Sequence, residues 1–238
     1  MTNHDGLPVA AAFRPSAYTA AVLRQLLERR VFLKDASVLD IGCGCGILLA
    51  GAGEMGATSL CGVDIEPAAV NEARRLLTGP GAARFAGAHK EVLQGSLFEP
   101  VAGRTFDVIL ANLPHFPMDH VPIEERLATW SSGGDDGRRL LDPVIDGIGA
   151  HLVPGGWALI AHNAFIGLDA TRERAAAQGL EARVVDTILV PLEPRKLAWM
   201  TAEVLEREIG RTIHRFADHV FAEVAVLHLR HLASGTAA

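Results

Sequence analysis

Three stretches of this 238-residue chain hold polar side chains at spacings that could do chemistry. The first is Val38-Leu39-Asp40-Ile41-Gly42-Cys43-Gly44-Cys45-Gly46. Glycine at every second position lets the backbone turn sharply and come close to a ligand. A helix opening near Gly46 would aim free N–H groups and its positive dipole end at the same point. The second stretch, Gly62-Val63-Asp64-Ile65, places a carboxylate at a strand end, where it can accept both hydroxyls of a ribose. The third, Asn112-Leu113-Pro114-His115-Phe116-Pro117, offers a side-chain amide, a carbonyl and an imidazole beyond another strand.

The spacing sorts the ligand classes. A dinucleotide-binding turn of the G-x-G-x-x-G type needs a glycine at position 47, where the chain has Ile47. No Gly-Lys-Ser/Thr is present, so a phosphate-binding P-loop is excluded. What remains is acidic-x-G-x-G-x-G, with Asp40 on the strand before the glycines and Asp64 one strand later.

Short apolar runs alternating with helical patterns supply the frame, as in a parallel sheet covered on both faces. Ser16 to Arg30 reads as a helix capped by Ser16, Ser37 to Ile41 as the first strand, and Gly46 to Met55 as the next helix. A strand at 59–63 and a helix at 67–77 opened by Pro67 follow. Strands are expected at 91–94 and 106–111, then a helix at 142–152 stopped by Pro154-Gly155-Gly156. Strands at 157–161 and 182–190 flank a helix at 168–178, and a single inserted helix is expected near 195–209 before a last strand at 221–229. The expected fold class is α/β, a doubly wound seven-stranded sheet. No linker or repeat divides the chain, so residues 1–35 read as a helical lead-in and 36–238 as one domain.

Composition narrows the partners. Hydrophobic residues are 49% and charged residues 21%, as in soluble globular chains, and no apolar run approaches the ~20 residues of a membrane span. The N-terminus lacks the basic and apolar regions of a secretory signal, so a cytoplasmic location is expected. Net charge is −6 and no Lys/Arg run exceeds a pair, which disfavours bulk nucleic-acid binding. Cys43 and Cys45 are too close for an unstrained disulfide, and with Cys61 they read as reduced thiols without zinc spacing. His214, His219, His228 and His231 lack a carboxylate-rich surrounding, so no metal is expected.

The glycine turn followed by Asp64 resembles the class I S-adenosylmethionine (SAM) dependent methyltransferases. That resemblance implies a Rossmann-like fold with a late antiparallel strand, SAM as cofactor and S-adenosylhomocysteine (SAH) as product. By it, Asp40 meets the methionine amino group, Gly42, Gly44 and Gly46 line the amino-acid end, Asp64 holds the ribose and Ile65 packs on adenine. Thr19, Cys43, Ser96, Leu97 and Asn112 complete the implied cofactor set, Ser96 standing where the family often has an Asp for the adenine amine.

Asn112-Leu113-Pro114-His115 resembles the Asn-Pro-Pro-aromatic motif of amino-group methyltransferases, in which the Asn oxygen and a backbone carbonyl accept both N–H bonds of a planar nitrogen. Asn112, Leu113, Pro114 and His115 are then the catalytic segment, and positioning for in-line displacement is its main task. Leu113 replaces a proline, but Pro114 still favours an extended backbone there. His115 replaces the aromatic that stacks on the acceptor, and Phe116 is expected to supply the apolar contact. Two further segments are similar to the release-factor glutamine methyltransferases. Phe13-Arg14-Pro15-Ser16-Ala17-Tyr18-Thr19 matches their Pro-x-x-Asp-Thr with Tyr18 in place of Asp, and Ser132-Gly133-Gly134-Asp135-Asp136-Gly137 matches their Gly-Gly-x-Asp-Gly. The helical domain that usually precedes the bacterial enzymes is not seen before Phe13, and the tail after Val190 does not match.

The resulting expectation is methylation of a planar amine or amide on a small molecule or a protein side chain, the small molecule being the weakly favoured acceptor. The alternatives are adenine amino methylation in RNA or DNA, and a non-catalytic SAM-binding partner subunit. An NAD-dependent oxidoreductase is opposed by Ile47. Arg195, in Glu193-Pro194-Arg195-Lys196, is a candidate for binding a substrate carboxylate or phosphate, Trp199 and Met200 read as helix packing, and a homodimer is possible.

Overall fold

The computed structural model describes residues 15–118 and 132–232. Phe13 and Arg14 of the first motif therefore lie outside the described residues, as do parts of the expected lead-in and domain. The chain runs α1 (Ala17–Glu28), β1 (Ser37–Ile41), α2 (Ile47–Glu54), β2 (Ser59–Asp64), α3 (Pro67–Thr78), β3 (His89–Gln94) and β4 (Phe106–Ala111). It continues α4 (Leu141–His151), β5 (Leu152–Asn163), α5 (Leu168–Ala177), β6 (Leu180–Leu192), α6 (Pro194–Trp199), α7 (Ala202–Glu208), β7 (Ile213–Phe216) and β8 (His219–His231).

All strands join one mixed sheet in the order β3-β2-β1-β4-β5-β8-β6. The strands from β3 to β5 are mutually parallel. The last strand, β8, runs antiparallel to both β5 and β6. Successive side chains on a strand point to opposite faces, so each central strand feeds two cores. Leu39, Ile41 and Ile109 join Val144, Ile148 and Phe165 on one face. Val38, Val108 and Leu110 join Val22, Leu26, Leu49 and Val70 on the other. This double coverage explains why β1 and β4 read as nearly continuous apolar runs.

The helix starts follow their local chemistry. Ser16 caps α1 in a reciprocal capping box with Thr19. Gly46 precedes α2 at φ 80°, and Pro67 occupies the first turn of α3.

The structure extends one expectation and corrects two. The seven expected strands form the path above, and among the described residues an eighth is added because β7 forms a hairpin with β8. Its two-residue turn is Ala217-Asp218, with Ala217 at φ 50°, so the Asn-Gly or Asp-Gly signal of a tight hairpin is missing. The single helix expected at 195–209 is two helices broken at Met200, whose ψ is 136°. Tertiary bonds pin the break: Thr201 N donates to Pro117 O at 3.0 Å and its hydroxyl to Asp135 O at 2.7 Å. Finally, β5 begins at Leu152 and runs through Pro154-Gly155-Gly156, with a register shift against β4 between Phe106 and Val108.

Candidate functional site

β1 and β4 are neighbours, yet the chain leaves β1 toward β2 and β3, and leaves β4 toward β5. Their carboxyl ends therefore flank the crevice in which open α/β sheets hold ligands. A cavity of about 330 Å³ opens there. Its walls come from the turn after β1, the ends of β2 and β3, the segment Asn112 to Phe116, the start of α1, Asn163 and Lys196.

The turn after β1 is fixed by main chain. Gly42 N and Cys43 N both donate to Val63 O, at 2.8 and 3.1 Å, and Gly46 N donates to Cys43 O at 2.8 Å. Gly42 and Gly44 sit at φ 69° and 52°, where a side chain would be strained. A Cβ on Gly42 would also lie 2.6 Å from Leu113 Cδ2, so glycine keeps this turn and the segment after β4 in contact. Gly46 does not line the cavity. A Cβ there would meet Ala73 at 3.0 Å, so its smallness serves the packing of α2 on α3.

Two carboxylates face this turn, and their surroundings differ. Asp64 accepts from Gly44 N at 2.9 Å and from Glu66 N at 3.0 Å. Burial raises its pKa, and these backbone bonds oppose the rise. Asp40 is 1% exposed, and neither of its oxygens has a hydrogen-bond partner. Burial, with repulsion from Asp64, holds its pKa well above the usual carboxylate range. A buried carboxylate without a donor is costly. A cationic ammonium placed beside it would remove that cost, and a diol beside Asp64 would use its remaining lone pairs. The turn, Asp40 and Asp64 thus fit the amino-acid and ribose parts of SAM. Ile65, 61% exposed, Ser96 and Leu97 lie along the same wall, as an adenine subsite requires. Burial pushes the Cys43 thiol up, which leaves it a packing group.

The opposite wall is built from β4, β5 and α1. Asn112 Nδ2 donates to Thr19 Oγ1 at 3.2 Å, which leaves Asn112 Oδ1 as a free acceptor. His115 donates from Nδ1 to the Leu113 carbonyl. A carbonyl only accepts, so the imidazole is the neutral Nδ1–H tautomer, and its buried Nε2 has no partner. Burial lowers the His115 pKa to about 4, with Lys196 adding to the effect and the Leu113 bond opposing it. Asn163 Nδ2 donates to His115 O at 3.1 Å, and Tyr18 donates its hydroxyl to Asn163 Oδ1 at 2.7 Å. The Tyr18 and His115 rings meet edge to face at 5.7 Å. Phe116 lines the cavity and packs against Phe165.

The glycine-rich segment after β4 supports this wall from behind. Gly133 N donates to Phe116 O at 2.8 Å, and a Cβ on Gly137 would lie 2.9 Å from His115 O.

The cavity therefore gathers Thr19, Asp40, Gly42, Cys43, Gly44, Asp64, Ile65, Ser96, Leu97 and the run Asn112 to Phe116. Gly46 and Arg195 stand apart from it. The Arg195 guanidinium lies 4.9 Å over the Trp199 ring, and the next residue, Lys196, reaches the cavity beside Phe116. The sequence reading missed Asn163 and Lys196. Asn163 had a signal, a polar residue closing an apolar strand at the ligand end of a parallel sheet. Lys196 had none, because its neighbour Arg195 is equally basic and only the helical phase separates them. Among the described residues no group of three His, Cys, Asp or Glu could hold a metal, and no helix is long and apolar enough to cross a membrane.

Comparison with known proteins adds the following. Residues 18–121 match the family Ribosomal protein L11 methyltransferase (PrmA). A Methanocaldococcus jannaschii chain, described as "Putative protein N5-glutamine methyltransferase", is 32% identical over 169 residues, covering 71% of this chain and 82% of the relative. The release factor glutamine methyltransferase of Geobacter sulfurreducens is 31% identical over 153 residues, covering 61% of this chain and 51% of the relative, so the match spans about half that enzyme. Among solved structures, one from the E. cuniculi Mtq2–Trm112 complex, responsible for methylation of the eRF1 translation termination factor, superposes with a TM-score of 0.54. It is 16% identical and covers 92% of this chain and 98% of its own, a likeness of fold.

Proposed function

This chain belongs to the class I SAM-dependent methyltransferases, in the group of the protein glutamine N5 methyltransferases, and from that premise we propose that it methylates the side-chain amide nitrogen of a glutamine in a protein. The observation that carries the reading is the Asn112 amide. With Nδ2 tied to Thr19 Oγ1, its Oδ1 and the neighbouring Leu113 carbonyl offer two acceptors for the two N–H bonds of a planar primary amide.

When bound, SAM supplies a methyl group activated by its sulfonium. The residues of this chain do the rest by placement. Asp40 would take the α-ammonium, Asp64 the ribose hydroxyls, and Ile65, Ser96 and Leu97 the adenine. Asn112 and Leu113 would hold the amide with its nitrogen toward the methyl donor. Transfer of that methyl to the amide nitrogen would release SAH and one amide proton. His115 stays neutral and braces the Leu113 carbonyl, while Phe116 and the Tyr18–His115 pair wall the glutamine stem. The domain boundaries expected from the sequence, a lead-in at 1–35 and a methyltransferase domain at 36–238, are kept as part of this proposal, with Ser16, Tyr18 and Thr19 of the lead-in lining the site and the cytoplasm as its place of action.

A protein acceptor is favoured over a small metabolite by the relatives, and a translation release factor is the class to test first. The experiment incubates the protein with tritiated SAM and a purified bacterial release factor, then maps methylated residues by mass spectrometry. One methyl on a glutamine, lost in Asn112→Ala while SAH affinity stays nearly intact, supports the reading. Tight SAH binding without label in release factors or a glutamine-peptide panel overturns it.

A further inference from the structure

Thr19 is buried, and its hydroxyl oxygen is a three-way junction. The Ser16 backbone N–H donates to it at 3.2 Å and Asn112 Nδ2 donates to it at 3.2 Å. Ser16 Oγ lies 3.3 Å away and accepts in turn from Thr19 N at 3.4 Å. A hydroxyl has two acceptor sites and one proton. Two N–H groups fill the acceptor sites, and the remaining proton goes to Ser16 Oγ. The hydroxyl is thus saturated and immobile.

An asparagine amide has two nearly isosteric ends, so a cavity alone does not decide whether it presents oxygen or nitrogen. At position 112 that choice sets the chemistry, because only the oxygen accepts an N–H bond from an acceptor amide. Thr19 Oγ1, held by the capping box of α1, settles it by taking the NH₂ end. We propose that Thr19 is a positioning residue for methyl transfer, in which the helix cap Ser16–Thr19 fixes the Asn112 amide with Oδ1 toward the acceptor. The assignment separates Thr19 from the cofactor contacts: it acts through Asn112, across 93 residues of sequence. It rests on the glutamine-amide reading only for its catalytic consequence.

The test compares Thr19→Val, which keeps the shape and removes the hydroxyl, with Thr19→Ser, which keeps the hydroxyl. In ¹⁵N-labelled protein the Asn112 side-chain NH₂ signal, identified by its loss in Asn112→Ala, should be protected from hydrogen exchange in the parent and in Thr19→Ser. In Thr19→Val its exchange should accelerate by about tenfold or more. With a release factor as acceptor, kcat should fall by about tenfold or more in Thr19→Val, with SAH affinity within about twofold, and recover in Thr19→Ser. Unchanged amide protection in Thr19→Val overturns the proposal whatever the acceptor. So does a loss of SAH affinity that matches the loss of kcat. If parent protein methylates no glutamine, the proposed function fails while the exchange experiment still decides the role of Thr19.

Discussion

Tyr18 and Asn163 are joined by a 2.7 Å hydrogen bond across 145 residues, and the other end of the Asn163 amide holds the carbonyl of His115. Tyr18 and His115 are also two of the four positions, with Leu113 and Ser96, at which the motifs depart from the family pattern. They meet ring to ring, so the two departures form one replaced wall and not two independent losses. That argues for an altered acceptor pocket over a decayed one.

Removing the Tyr18 hydroxyl tests this wall. Tyr18→Phe leaves the buried Asn163 Oδ1 without a donor and should cost about 1–3 kcal/mol of stability. Asn163→Ala should cost a similar amount, and the double variant less than the sum, with a coupling of at least about 1 kcal/mol by chemical denaturation. Additive effects would show that the two side chains do not share a network.

Asp64→Ala should weaken SAH binding by more than about tenfold, since both ribose hydroxyls lose their acceptor. Isothermal calorimetry reads this directly. An affinity equal to that of the parent would remove Asp64 from the cofactor site.

Asp40 should make SAH affinity depend on pH. Its carboxyl titrates above the ordinary range in the free protein, and only the ionised form pairs with an ammonium. Affinity should therefore rise with pH up to that raised pKa, by at most about tenfold per unit, and then level off. Asp40→Asn should bind more weakly and without this slope. A parent profile no steeper than that of Asp40→Asn would contradict the pairing.

Buried histidines give a separate acid sensitivity. Burial depresses His115 to about 4 and His162 to about 3, from 6.5 when exposed. Above 6.5 both states are neutral and the stability is fully present. As pH falls from 6.5 toward 4 the unfolded chain binds protons that the folded chain refuses, so stability declines. His115 alone accounts for about 3 kcal/mol of that decline. Asp40, shifted upward, works in the opposite sense. The pH dependence of melting should therefore be shallower in His115→Phe than in the parent, and an identical slope in both would refute the assignment.

Most of the frame was legible because β1, β2 and β4 are buried on both faces and bounded by glycine or proline, which leaves little ambiguity. The cavity wall around the glycine turn was legible too, since Asp40, Gly42 and Gly44 lie in local sequence around one turn and Asp64 ends the adjacent strand. The acceptor half was only partly so. Asn112 was visible, but its orientation depends on Thr19 and the brace on His115 depends on Asn163, contacts that cross the fold. Residues 195–209 misled because the apolar pattern continues through Met200 and Thr201, while the break is imposed by Pro117 and Asp135 from elsewhere in the chain. β7 was hidden by a hairpin turn made with Ala217 in place of the usual residues.

The insertion of β8 between β5 and β6 has a consequence for how the protein is made. Of the described strands β8 leaves the ribosome last, yet it fills an interior slot. Until it arrives, Trp157–Asn163 on β5 and most of β6 expose unpaired backbone edges, the surfaces prone to aberrant pairing between nascent chains. The glycine turn and its two carboxylates can assemble from the first half of the chain, whereas the Asn163 brace becomes rigid only when that slot is filled. Cofactor capture is therefore expected to precede full acceptor competence during synthesis.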